Sequence, residues 1–291
     1  MATDPRTDYL ILTLLAASTG LWINVLRQGL RSGWSWPLQP RRDVPWRPFE
    51  AVAAIIIVQL CMGAVLYQLF PPVRPVLTDQ AGRDADVGTI HTAPTPDVPK
   101  VLDLKRLQVI ELSQILELAL VPLILLLWCR CRWEDFGLRR VGLTTDLRFA
   151  VWGLLLAQLP VYLVEYPLRS WRQSSPHPIL ELLRNSGHDN LTLVWIALEV
   201  VLLAPLVEEL LFRVLLQGSL EREIPAVWAI LLPALAFIAS HQTTDSMPLF
   251  PLALVMGYIY YRRHSFVANV VLHGMFNAIS LLGAVWSHKG P

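Results

Sequence analysis

The sequence predicts an all-α, polytopic membrane helix bundle with about eight transmembrane helices. Composition is the first reason, because 54% of the 291 residues are hydrophobic and only 16% are charged, whereas a soluble domain carries about 25% charged residues. Length is the second reason, because eight apolar runs approach the roughly 20 residues that a spanning helix needs. The net charge of +1 gives no reason to expect a nucleic-acid partner.

The eight apolar runs cover most of the chain. We expect helices at residues 9–26, 49–70, 107–128, 147–164, 191–216, 225–241, 247–261 and 265–286. The fourth, sixth and seventh runs are short for a full crossing. That length favours helices that are tilted or partly covered by protein.

Arginines concentrate in alternate connections between these helices. Residues 27–48 and residues 129–148 hold five arginines each, and Arg262 and Arg263 follow the seventh helix. With eight crossings all three connections fall on one side, which the positive-inside rule makes cytoplasmic. Both termini are then expected to be extracytoplasmic, in the plasma or inner membrane if the host is a prokaryote.

The chain is expected to divide into two regions. Residues 1–145 form an N-terminal transmembrane region of three helices with a Pro-rich loop at 71–106, which reads as an extracytoplasmic segment without a core of its own. Residues 146–291 hold the remaining helices. The residues singled out for chemistry below, at 208–277, all belong to this second region.

Two adjacent glutamates, Glu208 and Glu209, lie inside the fifth apolar run. A carboxylate at bilayer depth costs at least a few kcal/mol and by default indicates a functional site. Arg213 follows Glu209 at i+4, the better orientation for an ion pair, so we expect it to neutralise Glu209. Glu208 points about 100° away and stays free for chemistry. Pro205 removes a backbone donor just upstream, where a kink is expected.

Glu199 and Glu117 also lie within apolar runs. Glu199 precedes Glu208 by nine residues, which places it on nearly the opposite face of a regular helix. We expect it to pair elsewhere or to face a polar groove. Glu117, in the third run, is a candidate for lining a substrate entrance.

Polar residues on the later helices share the depth of Glu208. Phe237 and His241, and then His273 and Asn277, are spaced i, i+4, so each pair lies on one helix face. If the turn after the fifth helix is centred near residue 223, Glu208 and His241 lie within one helical turn of the same height. We expect polar groups from three helices to converge in one pocket between the C-terminal helices: Glu208, His241, His273 and Asn277.

Such a pocket holds the groups that amide hydrolysis needs without a covalent intermediate. A carboxylate and an imidazole that share a water can act as general base and orienter. A second imidazole and an amide can donate hydrogen bonds to a developing oxyanion. No G-x-S-x-G elbow occurs in the sequence, so a serine hydrolase is not indicated. A proton-coupled transporter is an alternative, because intramembrane Glu and His residues also serve as proton relays.

Three motifs occur in order along these helices. They are E-E-x-x-x-R at Glu208, Glu209 and Arg213, F-x-x-x-H at Phe237 and His241, and H-x-x-x-N at His273 and Asn277. Their order and spacing resemble the CPBP family of intramembrane proteases, also called the Abi or CAAX-protease family. The segment DFGLRR, Asp135 to Arg140, is similar to the lead-in of that family. The family includes type II prenyl endopeptidases that cleave CAAX proteins after prenylation, and bacterial proteins linked to bacteriocin immunity.

The resemblance implies a role for each motif residue. Glu208 would activate a water and His241 would help to hold it, while His273 and Asn277 would form the oxyanion hole. Glu209, Arg213 and Phe237 would support the pocket. The implied activity is hydrolysis of peptide bonds in membrane-associated or lipidated, CAAX-like proteins or peptides. A bacteriocin-immunity or peptide-binding membrane protein of the same fold, without catalysis, is the alternative that the family leaves open.

No cofactor is favoured, and zinc is the alternative. Glu208, His241 and His273 could supply a His₂Glu ligand set with an open position. The H-E-x-x-H arrangement of many zinc proteases is absent. We therefore expect a metal-free glutamate mechanism acting on a peptide or protein substrate in the bilayer.

Overall fold

The protein is a bundle of helices, and no strand occurs among the residues described here. The computed structural model describes residues 4–32, 43–69, 102–138, 142–168, 178–186, 189–241 and 246–288. The helices are α1 Pro5–Ser32, α2 Pro48–Leu69, α3 Leu104–Trp128, α4 Leu143–Leu168, α5 Pro178–Asn185, α6 Asn190–Leu220, α7 Ala226–Ser240, α8 Leu249–Arg263 and α9 Phe266–His288. The all-α prediction is confirmed.

Each of the eight predicted apolar runs is a helix, and two short elements were not predicted. These are α5 and a 3₁₀ turn at Trp133–Phe136, both too short to show as an apolar run. Most of the predicted loop at 71–106 lies outside the described residues, and so do Arg41, Arg42, Arg139 and Arg140.

The helices suit a multi-pass integral membrane protein. Five are long and apolar enough to cross a membrane by length and composition: Pro5–Arg31, Leu104–Trp128, Leu143–Leu168, Asn190–Leu220 and Phe266–Ser287. Shorter apolar helices cover Pro48–Ala64 and Ala226–Ser240. The predicted short sixth and seventh runs correspond to α7 and α8, each of 15 residues, whereas the fourth is longer than predicted because α4 extends past both ends of its apolar run.

Helix α6 lies at the centre of the bundle and contacts α2, α3, α5, α7, α8 and α9. One buried apolar cluster joins α4, α7, α8 and α9. A second joins α2, α3 and the last turns of α6. Since α6 carries the two adjacent glutamates, this packing places them between the C-terminal helices, as the fold prediction required.

The segment after α3 ties the start of α9 to the bundle. Asp135 accepts a hydrogen bond from the Arg132 amide at 2.8 Å and closes the 3₁₀ turn. Gly137 follows at φ +75°, where a Cβ would lie 2.8 Å from the amide nitrogen of Phe266, so only glycine suits this position. Burial, with the charge of Asp135 adding to it, raises the pKa of the Cys131 thiol to about 11. Cys131 is therefore a packing residue, not a reactive thiol.

Contacts also connect the two regions predicted on either side of residue 145. Helix α4 packs against α1 as well as against α8 and α9, and α2 packs against α6. The two-region division stays a prediction.

Candidate active site

Helix α6 departs from regular α-helical geometry on both sides of Glu208. Residues Leu198–Leu203 and Glu209–Gln217 are π-helical, and one α-helical stretch, Ala204–Glu208, separates them. Pro205 lies in that stretch, where the sequence predicts a disturbed helix. Segments of this kind are frequent at functional sites, because they rotate side chains out of the regular helical register.

Glu209 and Arg213 form a fully buried ion pair, as their spacing predicts. Arg213 Nε lies 3.3 Å from Glu209 Oε2, and neither side chain has any exposed surface. The guanidinium carbon lies 5.5 Å from the centre of the buried Phe237 ring. The other oxygen of Glu209, Oε1, lies 3.0 Å from His273 Nδ1. Because Arg213 holds Glu209 as a carboxylate, His273 Nδ1 carries the hydrogen and donates it.

The two imidazoles both turn their Nε2 atoms toward Glu208. His273 Nε2 lies 3.6 Å from one Glu208 oxygen, and His241 Nε2 lies 3.9 Å from the other. His241 Nδ1 lies 2.7 Å from the Phe237 carbonyl. A carbonyl only accepts, so this Nδ1 is the donor, and the orientation of the ring follows from it.

The two glutamates differ in accessibility. The Glu208 side chain is 27% exposed and that of His241 is 31% exposed, whereas His273 is 4% exposed and Glu209 is fully buried. A reactant can therefore reach Glu208 and His241, while Glu209, Arg213 and His273 form the closed side of the site.

Asn277 does not contact Glu208 through any hydrogen bond described here. Its Nδ2 donates to the Val200 carbonyl on α6 at 2.8 Å. The structure thus brings Glu208, His241 and His273 together. It places Asn277 one helical turn beyond His273, anchored to α6.

Glu199 and Glu117, the two further glutamates singled out from the sequence, have amide partners. Glu199 Oε1 accepts from Gln114 Nε2 at 2.9 Å, and Glu117 Oε1 accepts from Gln59 Nε2 at 3.0 Å. Both glutamates are buried, so Glu117 lies between α2 and α3 and does not line an open entrance.

Glu199 lies in the π-helical segment Leu198–Leu203 and pairs with Gln114 of α3. The expectation that Glu199 pairs elsewhere is confirmed, and its facing relative to Glu208 stays a prediction. Glu111 was not singled out from the sequence, and the structure buries it in α3. Its place in the third apolar run could have drawn attention to it.

A cavity of about 370 Å³ lies away from these residues. It is bounded by α1, α4, α9 and the start of α8, and its lining includes Phe276 and Ser280 but none of the predicted site residues. The candidate site therefore rests on side-chain chemistry, not on the size of a cavity.

Metal binding stays open at this site. Among the described residues, no group of three or more His, Cys, Asp or Glu side chains is arranged to hold a metal ion. Glu208 nevertheless lies 3.9 Å from His241 Nε2 and 3.6 Å from His273 Nε2. The metal-free mechanism and the zinc alternative both stay predictions.

Fold and site together define a class, the polytopic helical membrane proteins with a glutamate–histidine site enclosed by their C-terminal helices. Residues 190–279 match the family model described as type II CAAX prenyl endopeptidase Rce1-like. The match confirms the resemblance to the CAAX proteases over this segment and supports a CAAX protease-like enzyme at the family level. The matched segment includes every motif residue from Glu208 to Asn277. No curated protein and no solved structure matches the chain.

Proposed function

We propose that this protein is a membrane endopeptidase in which Glu208 activates a water that attacks the scissile peptide bond. The proposed substrates are membrane-associated or lipidated, CAAX-like proteins or peptides. One observation carries the proposal: both Glu208 oxygens face imidazole Nε2 atoms, at 3.6 and 3.9 Å.

These separations suit a shared water better than direct hydrogen bonds. Nitrogen–oxygen hydrogen bonds are about 2.7–3.2 Å long, and a polar contact beyond about 3.5 Å is typical of a bridging water. Glu208 accepts one hydrogen of the water, and the neutral His241 Nε2 accepts the other. The partly exposed side chains of Glu208 and His241 leave room for a substrate carbonyl above that water.

The closed side of the site supplies stabilisation for the oxyanion. With His273 protonated, Glu208, Glu209, Arg213 and His273 together carry no net charge, which lowers the cost of holding them at bilayer depth. His273 Nε2–H then donates to the developing oxyanion. Asn277 contributes a second donor, because an amide nitrogen has two hydrogens and Val200 occupies only one.

The reaction balances without a further reactant. Glu208 takes a proton from the water, and the water oxygen bonds to the carbonyl carbon. The carbon–nitrogen bond then breaks, and Glu208 returns the proton to the departing amine. In the zinc alternative, Glu208, His241 and His273 would hold the ion, which would polarise the carbonyl as a Lewis acid.

The decisive experiment is cleavage by the purified full-length protein in detergent. Fluorogenic prenylated CAAX peptides and a set of unprenylated membrane peptides are compared for the wild type, Glu208→Ala and Glu117→Gln. Glu117 is the matched control, because it is a buried intramembrane glutamate with a single amide partner. Each reaction is repeated with a zinc chelator and after zinc is restored.

The metal-free mechanism predicts cleavage by the wild type and by Glu117→Gln, no cleavage by Glu208→Ala, and no effect of the chelator. Loss with the chelator and recovery with zinc would replace it by the metal-dependent mechanism. Cleavage that survives Glu208→Ala would contradict the proposal. A wild type that binds these peptides and cuts none of them would favour the non-catalytic peptide-binding alternative.

We also infer that the arginine-rich helix ends face the cytoplasm. Among the described residues these ends carry Arg31, Arg47, Arg130, Arg132, Arg148, Arg262 and Arg263, and the positive-inside rule assigns that side. A C-terminal alkaline phosphatase fusion expressed in a bacterial inner membrane is expected to be active, because the C-terminus is then periplasmic. An inactive phosphatase fusion together with a fluorescent C-terminal green fluorescent protein fusion would place the C-terminus in the cytoplasm and contradict this orientation.

A further inference from the structure

We propose that Pro205 is a positioning residue for Asn277. By withholding an N–H group it leaves the Val200 carbonyl free to accept the Asn277 amide. The contribution to turnover rests on the proposed function, in which Asn277 donates to the oxyanion. The hydrogen-bond arrangement itself does not rest on it.

The hydrogen-bond register of α6 is π-helical just before Pro205. The amide of Ala204 donates to the Glu199 carbonyl, five residues back. The next donor in that register would be Pro205, five residues after Val200, and proline has no N–H. In an α-helical register the donor to Val200 would be Ala204, which already donates to Glu199. The Val200 carbonyl therefore has no backbone donor within α6.

Helix α9 supplies the missing donor. Asn277 Nδ2 lies 2.8 Å from the Val200 carbonyl oxygen, across 77 positions of sequence. Asn277 is four residues after His273, so both side chains point to the same face of α9. The carbonyl that Pro205 leaves free thus lies directly against the polar stripe of α9.

Gly274 shows how closely the two helices approach at this point. A Cβ at Gly274 would lie 2.6 Å from the Val201 carbonyl oxygen, nearer than carbon and oxygen atoms pack. Two consecutive carbonyls of α6, those of Val200 and Val201, therefore lie against α9. Asn277 donates to one, and the absent side chain of Gly274 makes room for the other.

This anchor determines where the second amide hydrogen of Asn277 can point. An oxyanion donor acts only within about 2.7–3.1 Å of the developing charge, so a rotating amide would lose most of its effect. In the five-residue register that Ala204 follows, an N–H at residue 205 would donate to the Val200 carbonyl. Competition from that donor would release Asn277.

The test uses Pro205→Ala with Pro122→Ala as the matched control. Both prolines are buried inside predicted spanning helices, and both substitutions restore one N–H. Pro205→Ala is expected to lower kcat and kcat/KM together by roughly 10-fold or more, since the lost interaction belongs to the transition state. Pro122→Ala is expected to leave both within about twofold.

A double-mutant cycle on thermal unfolding tests the hydrogen-bond arrangement without any peptide cleavage. Asn277→Ala is expected to lower the Tm of the otherwise unchanged protein by roughly 2–4 °C. In the Pro205→Ala background the same change is expected to shift the Tm by less than about 1 °C, because Val200 then has a backbone donor. Pro205→Ala alone is expected to keep or raise the Tm, since it restores a helical hydrogen bond.

The proposal would be overturned if Asn277→Ala lowered the Tm equally in the wild-type and Pro205→Ala backgrounds, or if Pro205→Ala left kcat unchanged. If the two Tm shifts differ but even the wild type cleaves no peptide, the Val200–Asn277 arrangement is supported and the proposed function is contradicted.

Discussion

Helix α6 carries two sets of intramembrane carboxylates that differ in their partners. Glu208 and Glu209 face the guanidinium of Arg213 on α6, the imidazole of His273 on α9 and that of His241, which directly follows α7 in extended backbone. Glu199 faces Gln114 of α3, which donates one hydrogen bond but brings no positive charge. Residue type and membrane environment are the same for both sets. The difference shows that the partners from neighbouring helices, not the carboxylate itself, make one position a candidate for catalysis.

The largest effect expected from this comparison is on activity at Glu208. Glu208→Gln keeps the shape of the side chain but removes its basicity, so peptide cleavage is expected to fall by about 10³-fold. The rate is measured in detergent under single-turnover conditions. The Tm of the variant should stay within a few degrees of the wild type, because Glu208 is partly exposed. A variant that cleaves within tenfold of the wild-type rate would remove the distinction between Glu208 and Glu199.

The second effect is on stability, at the closed side of the site. Arg213→Met leaves Glu209 buried without its cation, which typically costs about 3–5 kcal/mol. Differential scanning fluorimetry should show a Tm lower by about 10 °C. The double variant Glu209→Gln/Arg213→Met removes both charges and should recover part of that loss. A single variant as stable as the wild type would mean that the ion pair is not needed to hold the site.

A smaller effect is expected at Glu199. Glu199→Gln preserves the size of the side chain and can still pair with the Gln114 amide, so cleavage should change by less than about threefold. The Tm should be unchanged or higher, because a buried charge without a cation is removed. Cleavage assays and unfolding scans on the same preparation check both expectations. A loss comparable with that of Glu208→Gln would instead assign Glu199 to the reaction.

The smallest effect is expected at Glu117, which is buried at the interface of α2 and α3. Glu117→Gln changes one hydrogen bond to Gln59 at the α2–α3 interface, so kcat, KM and Tm are expected to stay close to those of the wild type. Steady-state kinetics over a range of peptide concentrations provide the check. A selective rise in KM would revive the entrance role that the sequence suggested for Glu117.

Local patterns in the sequence were sufficient for the helices and for the Glu209–Arg213 ion pair. Apolar runs of about 20 residues and alternating arginine-rich connections depend only on nearby residues. The same holds for the i, i+4 spacing of Glu209 and Arg213, which predicted their ion pair. Equal depths along an antiparallel hairpin brought Glu208 and His241 together, because helical rise per residue is nearly constant.

Regular helical geometry failed at the two π-helical segments of α6. No local signal in the sequence other than Pro205 marks these segments. The anchoring of Asn277 was also beyond the sequence, since its acceptor is a main-chain carbonyl that is available only because of the register inside α6.

The sequence by itself therefore determined the membrane helices, their order and the residues able to carry the chemistry, because these follow from composition and from spacing along one helix. Only the tertiary structure decided which nitrogen of each imidazole faces Glu208, which glutamate is closed off, and where the Asn277 amide is held. The physical reason is that a hydrogen bond depends on positions to a fraction of an ångström, and helices distant in the chain set those positions when they pack.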